Sequence, residues 1–324
     1  MTVSNTSILI LSYNRIEELK QTIPLVLQEI EQASAELIIV DNASTDGSVE
    51  YLRSVADKGN IRLILNAANL GVAGGRNAGY KLAKGDIIIN LDDDTYPLPG
   101  LLEKTAAAFA RHPNAGILAY RVRHRQTKDD QNPHGEHECE VANFHGAGHA
   151  FRKSVFLKAG YLDERCSFGG EELEMSIRAR AAGYTVLYLP DIVVEHNSFP
   201  RPGGVGVDRR IQWRYNYTRV LHKYFPAKTA ALFSWRLGFR DFVFGFRFGL
   251  RPWMRLWNES LRGRREGLQE YTPLSKDIMH FYMNPSLRPE YGNVPLIWKL
   301  SGCLGWQHKY NETGLTEPSE GVGR

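Results

Sequence analysis

Cysteine is scarce in this chain, and the three present are scattered at Cys139, Cys166 and Cys303. They form neither an even disulfide framework nor a Cys-x-x-Cys metal knuckle, which points to a reducing cytoplasm. Long apolar runs are missing too: no stretch approaches the ~18 uninterrupted apolar residues of a membrane-crossing helix. The start, MTVSNTSILILSYNR, has no basic segment ahead of its short apolar run, so it is not expected to act as a secretory signal. Two familiar phosphate loops are absent as well. With neither Gly-Lys-Ser/Thr nor Gly-x-Gly-x-x-Gly, ATP and dinucleotide binding lose their usual support.

What remains is an ordinary globular composition, 43% apolar and 23% charged, which excludes a disordered or fibrous chain. The net charge of +4 hides a split. Residues 1–196 carry 20 Lys+Arg against 26 Asp+Glu, whereas residues 197–275 carry 15 against 5. Two parts with different tasks are expected, the second drawn to an anionic partner.

The first half alternates strand and helix signals. The apolar runs SILILS (7–12), ELIIV (36–40), IRLIL (61–65) and DIIINL (86–91) are each followed by helical patterns. Continuous apolar strands alternating with helices predict βαβ units in a parallel sheet covered on both faces. Ligands of such sheets bind beyond the carboxyl ends of the strands. The residues there are polar in every case: Ser12-Tyr13-Asn14-Arg15, Asp41-Asn42, Asn66 with Asn69, and Asp92-Asp93-Asp94. Three adjacent carboxylates repel one another, so a positive partner is expected beside them. The polar segment 124–140 reads as an exposed loop. Its His134, His137 and Cys139 lack a second ligand pair, so zinc is not expected there.

The motifs ILILSYNR, IIVDNASTDGS, NAANLGVAGGRNAGYKLAKGDIIINLDDDTYP and FGGEELEMSIRARAAGYTVLYLPDIVVEH stand in the order and spacing of the family-2 glycosyltransferases. The resemblance covers about residues 5 to 200. It implies an α/β GT-A fold, a Rossmann-like, mostly parallel sheet flanked by helices, and sugar transfer with inversion from a nucleotide-diphosphate donor. It also implies Mn²⁺ or Mg²⁺ held at an Asp-x-Asp whose outer positions are Asp92 and Asp94, with Asp92 toward the ribose, Asp93 in the variable place and His196 as a third ligand. Hard cations suit such oxygen donors, and imidazole suits Mn²⁺.

By the same resemblance, Ser12, Tyr13, Asn14 and Arg15 wrap the nucleoside, and Asp41 beside Asn42 accepts the N3–H of uracil or thymine. Arg76 lies near the diphosphate, Asn69 is counted among the nucleotide-binding residues, and Gly74 and Gly75 let the backbone approach the donor. The Glu-Asp motif of the family corresponds to Glu171-Glu172. Its second acid is the expected general base, with Glu171 the alternative, since adjacent acids cannot be ranked without geometry. Gly146, Ala147 and Gly148 match a small-residue segment beside the acceptor. Acids in a first helical turn also serve as caps, the reading preferred for Glu174.

From Trp213 to Trp257 aromatics and arginines crowd together. At 100° per residue, Trp235, Phe239, Phe242, Phe246 and Leu250 share an arc of about 80°, with Arg236, Arg240, Arg247 and Arg251 beside them. Segment 228–257 is therefore expected either to lie on an anionic membrane surface or to pack its aromatics against the first half. No nucleic-acid-binding motif accompanies it. The expected organisation is a catalytic domain (1–200), a basic, aromatic helical extension (201–310) and a disordered tail (311–324). The expected function is transfer from a UDP- or dTDP-sugar to a glycan or lipid-linked acceptor in polysaccharide biosynthesis, in the cytoplasm or peripherally at the inner membrane face. Two rivals remain: a catalytically inactive scaffold, and a sugar nucleotidyltransferase, which SYNRIEE argues against because it lacks a glycine-rich, lysine-bearing loop.

Overall fold

A computed structural model describes residues 5–33, 35–57, 61–132, 134–197, 206–235 and 249–283. The strands are β1 (Thr6–Ser12), β2 (Glu36–Asp41), β3 (Ile61–Leu65), β4 (Ile87–Asp92), β5 (Thr95–Pro97), β6 (Ala115–His124), β7 (Cys139–Glu140), β8 (Gly148–Arg152) and β9 (Thr185–His196). They form one sheet in the order β3-β2-β1-β4-β8-β6-β9-β5, with β7 on β9. The first four are parallel. Beyond β4 the sheet turns mixed, because β8 is antiparallel to both β4 and β6.

Continuous apolar strands serve both faces. Side chains alternate along a strand, so Ile8 and Ile10 face one way and Leu9 the other. The first face gathers Ile8, Ile10, Ile39 and Ile89 with Leu19, Ile23 and Val26 of α1 (Ile16–Ala33), Leu52 of α2 (Ser48–Ala56) and Phe109 of α4 (Leu101–Arg111). The second gathers Leu9, Ile38, Val40 and Ile88 with Ala73 and Tyr80 of α3 (Gly71–Tyr80), Phe156 of α5 (Lys153–Ala159) and Met175 of α6 (Glu171–Ala181).

A third cluster joins α6 to the C-terminal helices. Leu173 and Ile177 pack on Tyr217, Val220, Leu221 and Tyr224 of α7 (Val207–Tyr224), and Phe233 of α8 (227–235) and Tyr282 of α10 (Lys276–Met283) complete it. The long α9 (Leu250–Gln269) lies along α7. Phe239, Phe242, Phe246, Arg236, Arg240, Arg247 and the tail 311–324 lie outside the described residues.

Segment 124–140 is exposed at 126–129 and 135–138, as its polar composition suggests, but it is also tied to the sheet. Arg121, on β6, pairs with Asp130 at 2.7 Å and Glu136 at 2.6 Å, and the Asn132 side chain brackets the β6 backbone at Tyr120 and Val122. The cause is a cation on the neighbouring strand that composition alone does not reveal.

Candidate active site

Register sets the site. Ser12 pairs with Asp41 and Leu11 with Asp92, so β1, β2 and β4 end at one edge. The chain then turns at Asp93 and Asp94 into β5, whose antiparallel pairing sets Thr95 opposite His196 at the end of β9. Asp94 thereby meets His196, Oδ1 to Nε2 at 3.1 Å, and its Oδ2 lies 3.2 Å from Arg15 Nη1. Burial alone would raise the Asp94 carboxyl, but His196 and then Arg15 hold it below the ordinary range. Burial likewise opposes the charged His196 imidazole, and Asp94 beside it wins, raising its pKa.

Asp92, Asp94 and His196 offer ligand atoms that all lie within 4.8 Å of one another, the one such group among the described residues. Two carboxylates and an imidazole form a donor set that fits Mn²⁺ or Mg²⁺. Asp93 points elsewhere. Its carboxylate accepts the Tyr13 backbone N–H at 3.3 Å, its carbonyl accepts the Thr22 hydroxyl, and burial followed by the charge of Asp94 pushes its carboxyl well up. Among the described residues, His134, His137 and Cys139 join no comparable group.

Asp41 is 1% exposed; one carboxylate oxygen accepts the Ser44 N–H at 2.9 Å, and the other is buried with no hydrogen-bond partner. Asn42 clasps the loop ahead of α3, donating to Asn69 and the Gly71 carbonyl and accepting from Asn66 and the Leu70 N–H. Asn14 adopts a left-handed φ of 52° and accepts from Thr45, while Ser12 is buried and Tyr13 exposed. Gly74 and Gly75 of α3 also have a packing reason to lack a side chain. A Cβ on Gly75 would sit 2.5 Å from Leu11, and one on Gly74 2.8 Å from Leu70. Gly75 thus packs on the Leu11 side chain of β1, and Gly74 on Leu70 at the start of its own helix.

The acid pair opens α6 after Gly169 and Gly170, both left-handed at φ 74° and 90°. Glu171 and Glu172 are buried, and each has an Oε2 without a hydrogen-bond partner. Burial, then the charge of Glu172, pushes Glu171 well up; burial pushes Glu172 up, opposed by Arg76. Arg76, 2% exposed, joins the two halves of the site. Its Nη2 reaches Asp92 at 2.7 Å and the Gly146 carbonyl at 2.9 Å, while Nη1 lies 3.6 Å from Glu171. A Cβ on Gly146 would come 2.9 Å from Glu172 Oε1, whereas Ala147 is buried and Gly148 makes room for Val194.

Sequence reasoning missed two residues. Gln131 lies 2.8 Å from His196 Nδ1, and Glu174 is a fully buried hub rather than a surface cap. Nothing in the local sequence around either residue names its distant partners.

The family model described as "Glycosyl transferase family 2" matches residues 7–169, just over half of the chain, and "Glycosyl transferase family group 2" matches 133–272. The chain belongs to glycosyl transferase family 2. An uncharacterised Haemophilus influenzae protein is 31% identical over 170 residues, covering 48% of this chain and 91% of that protein. The UDP-Glc:alpha-D-GlcNAc-diphosphoundecaprenol beta-1,3-glucosyltransferase WfaP of Escherichia coli is 36% identical over 90 residues, 28% of this chain and 35% of the relative. The chain spans 39% and 37% of two further Haemophilus influenzae glycosyltransferases. Among solved structures, the mannosyltransferase PcManGT from Pyrobaculum calidifontis, in complex with GDP-Man and Mn²⁺, superposes with a TM-score of 0.54. It is 17% identical, over 82% of this chain and 73% of its own. That likeness carries the GT-A fold.

Proposed function

We propose that this glycosyltransferase is metal-dependent and inverting, with a UDP- or dTDP-sugar as donor. The observation that carries the reading is the gathering of Asp92, Asp94 and His196 at the edge where Asp41 keeps an unpartnered carboxylate oxygen. Asp92, Asp94 and His196 would hold the cation. When bound, a divalent ion neutralises charge on the departing diphosphate. Asp41 would accept the N3–H of a uracil or thymine, and Tyr13, exposed beside it, would cover the base.

Glu172 is the proposed general base. As the acceptor oxygen bonds to the anomeric carbon and the carbon–phosphate-oxygen bond breaks, its carboxylate takes the hydroxyl proton. Arg76 favours the charged form of Glu172 and anchors Gly146 over it. The competing role for these acids is a scaffold without turnover. Donor transfer assayed on Asp94→Ala and Glu172→Gln separates the two, since undiminished turnover in both would defeat the assignment.

For the acceptor we infer a glycan or lipid-linked hydroxyl presented at an anionic membrane surface. No helix among the described residues is long and apolar enough to cross a membrane. α9 instead exposes Leu250, Met254, Leu261 and Leu268 along one stripe, between 42% and 61% accessible. Exposed Arg251, Arg255, Arg262 and Arg265 flank it, the pattern of a helix lying in a headgroup layer. Trp235, 61% exposed on α8, adds an aromatic anchor.

A further inference from the structure

His196 uses both ring nitrogens. Nε2 faces Asp94 at 3.1 Å, and Nδ1 faces the side-chain oxygen of Gln131 at 2.8 Å. A carboxamide oxygen only accepts, so Nδ1 is the donor to Gln131, and Nε2, whose proton faces the Asp94 carboxylate here, is the nitrogen that would meet a cation in that proton's place. The amide orientation is fixed by its other end: Gln131 Nε2 lies 3.5 Å from the His196 carbonyl oxygen, donor to acceptor. Reversing the amide would set oxygen against oxygen there.

Gln131 is itself held. Its backbone N–H donates to the Val122 carbonyl at 2.8 Å. On one side Asp130 pairs with Arg121 and Arg123, and on the other Asn132 is bonded to the backbone of Tyr120 and Val122. A polar segment that composition reads as solvated is thus pinned to β6, and the residue it delivers to the site is Gln131.

We propose that Gln131 is a positioning residue of the metal centre, holding the His196 ring in the tautomer and orientation that present Nε2 to the cation between Asp92 and Asp94. This rests on the metal reading above. A ligating histidine is oriented by the acceptor of its other N–H, and loss of such a partner costs 10–100-fold in metal affinity.

The test is Mn²⁺ affinity of the full chain, read by electron paramagnetic resonance, for wild type, Gln131→Met and Gln131→Glu. Methionine keeps the length and loses the acceptor; glutamate keeps the acceptor. Gln131→Met is expected to bind Mn²⁺ at least about tenfold more weakly at an unchanged metal-free melting temperature, and Gln131→Glu within about threefold of wild type. Equal affinity of Gln131→Met and wild type would overturn the inference while leaving the metal reading intact. No Mn²⁺ binding by wild type would overturn both. Nitrogen-15 spectra of the Mg²⁺-loaded wild type give a test without substitution: a His196 Nδ1 that carries no proton contradicts the proposal.

Discussion

Glu172 and Glu174 stand two positions apart on α6 and meet opposite surroundings. Glu172 has a buried oxygen without a partner, whereas Glu174 is bound by Arg178 at 2.7 Å, Lys223 at 2.9 Å and the Tyr224 hydroxyl at 2.8 Å. Burial would raise the Glu174 carboxyl, but Arg178 and then Lys223 hold it below the ordinary glutamate value of 4.5. A depressed folded pKa stabilises above the unfolded value and loses that contribution as pH falls through the folded one. The part of the urea midpoint that Glu174 supplies, read as the difference between wild type and Glu174→Gln, should therefore be level above pH 4.5 and decline below it. Glu174→Gln should cost about 1–3 kcal/mol at neutral pH, because it removes the carboxylate shared by the half-buried Arg178 and Lys223, and should flatten the acid limb. Glu172→Gln should do the reverse, lowering kcat by about 10²–10⁴ while the melting temperature holds or rises. A parallel fall in stability and activity for Glu172→Gln would make that residue structural.

At the scale of elements, α9 reaches α7 through Gly263 and Gly267. A Cβ on Gly267 would lie 2.3 Å from the Arg219 carbonyl and 2.9 Å from His222 Cβ; one on Gly263 would lie 2.5 Å from the Tyr215 carbonyl. Gly267→Ala should cost about 1–3 kcal/mol in urea unfolding, since backbone cannot step aside as a side chain can. An unchanged midpoint would mean that the two helices do not meet this closely. This contact escaped the sequence reading, which followed aromatics and arginines through the same helix. The four parallel strands were legible because a strand covered on both faces must be apolar at every position. The insertion of antiparallel β8 between β4 and β6 was not, since strand order is a long-range choice that local pattern leaves open. The site divides the same way. Asp92, Asp94 and His196 were named by the resemblance to family-2 glycosyltransferases, whereas Gln131 faces a partner 65 residues away. Gly74 and Gly75 carried a true signal of close approach, which among the described residues comes from Leu70 for the first and Leu11 for the second.

For the whole molecule, the acidic first half and basic second half give the chain a polarity that suits a nucleotide site on one part and an anionic surface for the other. Binding to vesicles rich in anionic lipid should be measurable by co-sedimentation, should weaken with salt, and should fall on replacing Leu250, Met254 and Leu261 with serine. Equal binding to neutral and anionic vesicles would contradict the role given to the arginines. The proposed chemistry needs a metal-linked nucleotide site at the carboxyl edge of β1, β2 and β4. Its most direct test is the thermal stability of wild type and Asp94→Ala with UDP or dTDP, in Mn²⁺ or EDTA. Stabilisation of about 2.7 kcal/mol at a hundredfold excess over Kd is predicted with Mn²⁺ in wild type only. Stabilisation that survives both EDTA and Asp94→Ala, or none with either nucleotide, would contradict it.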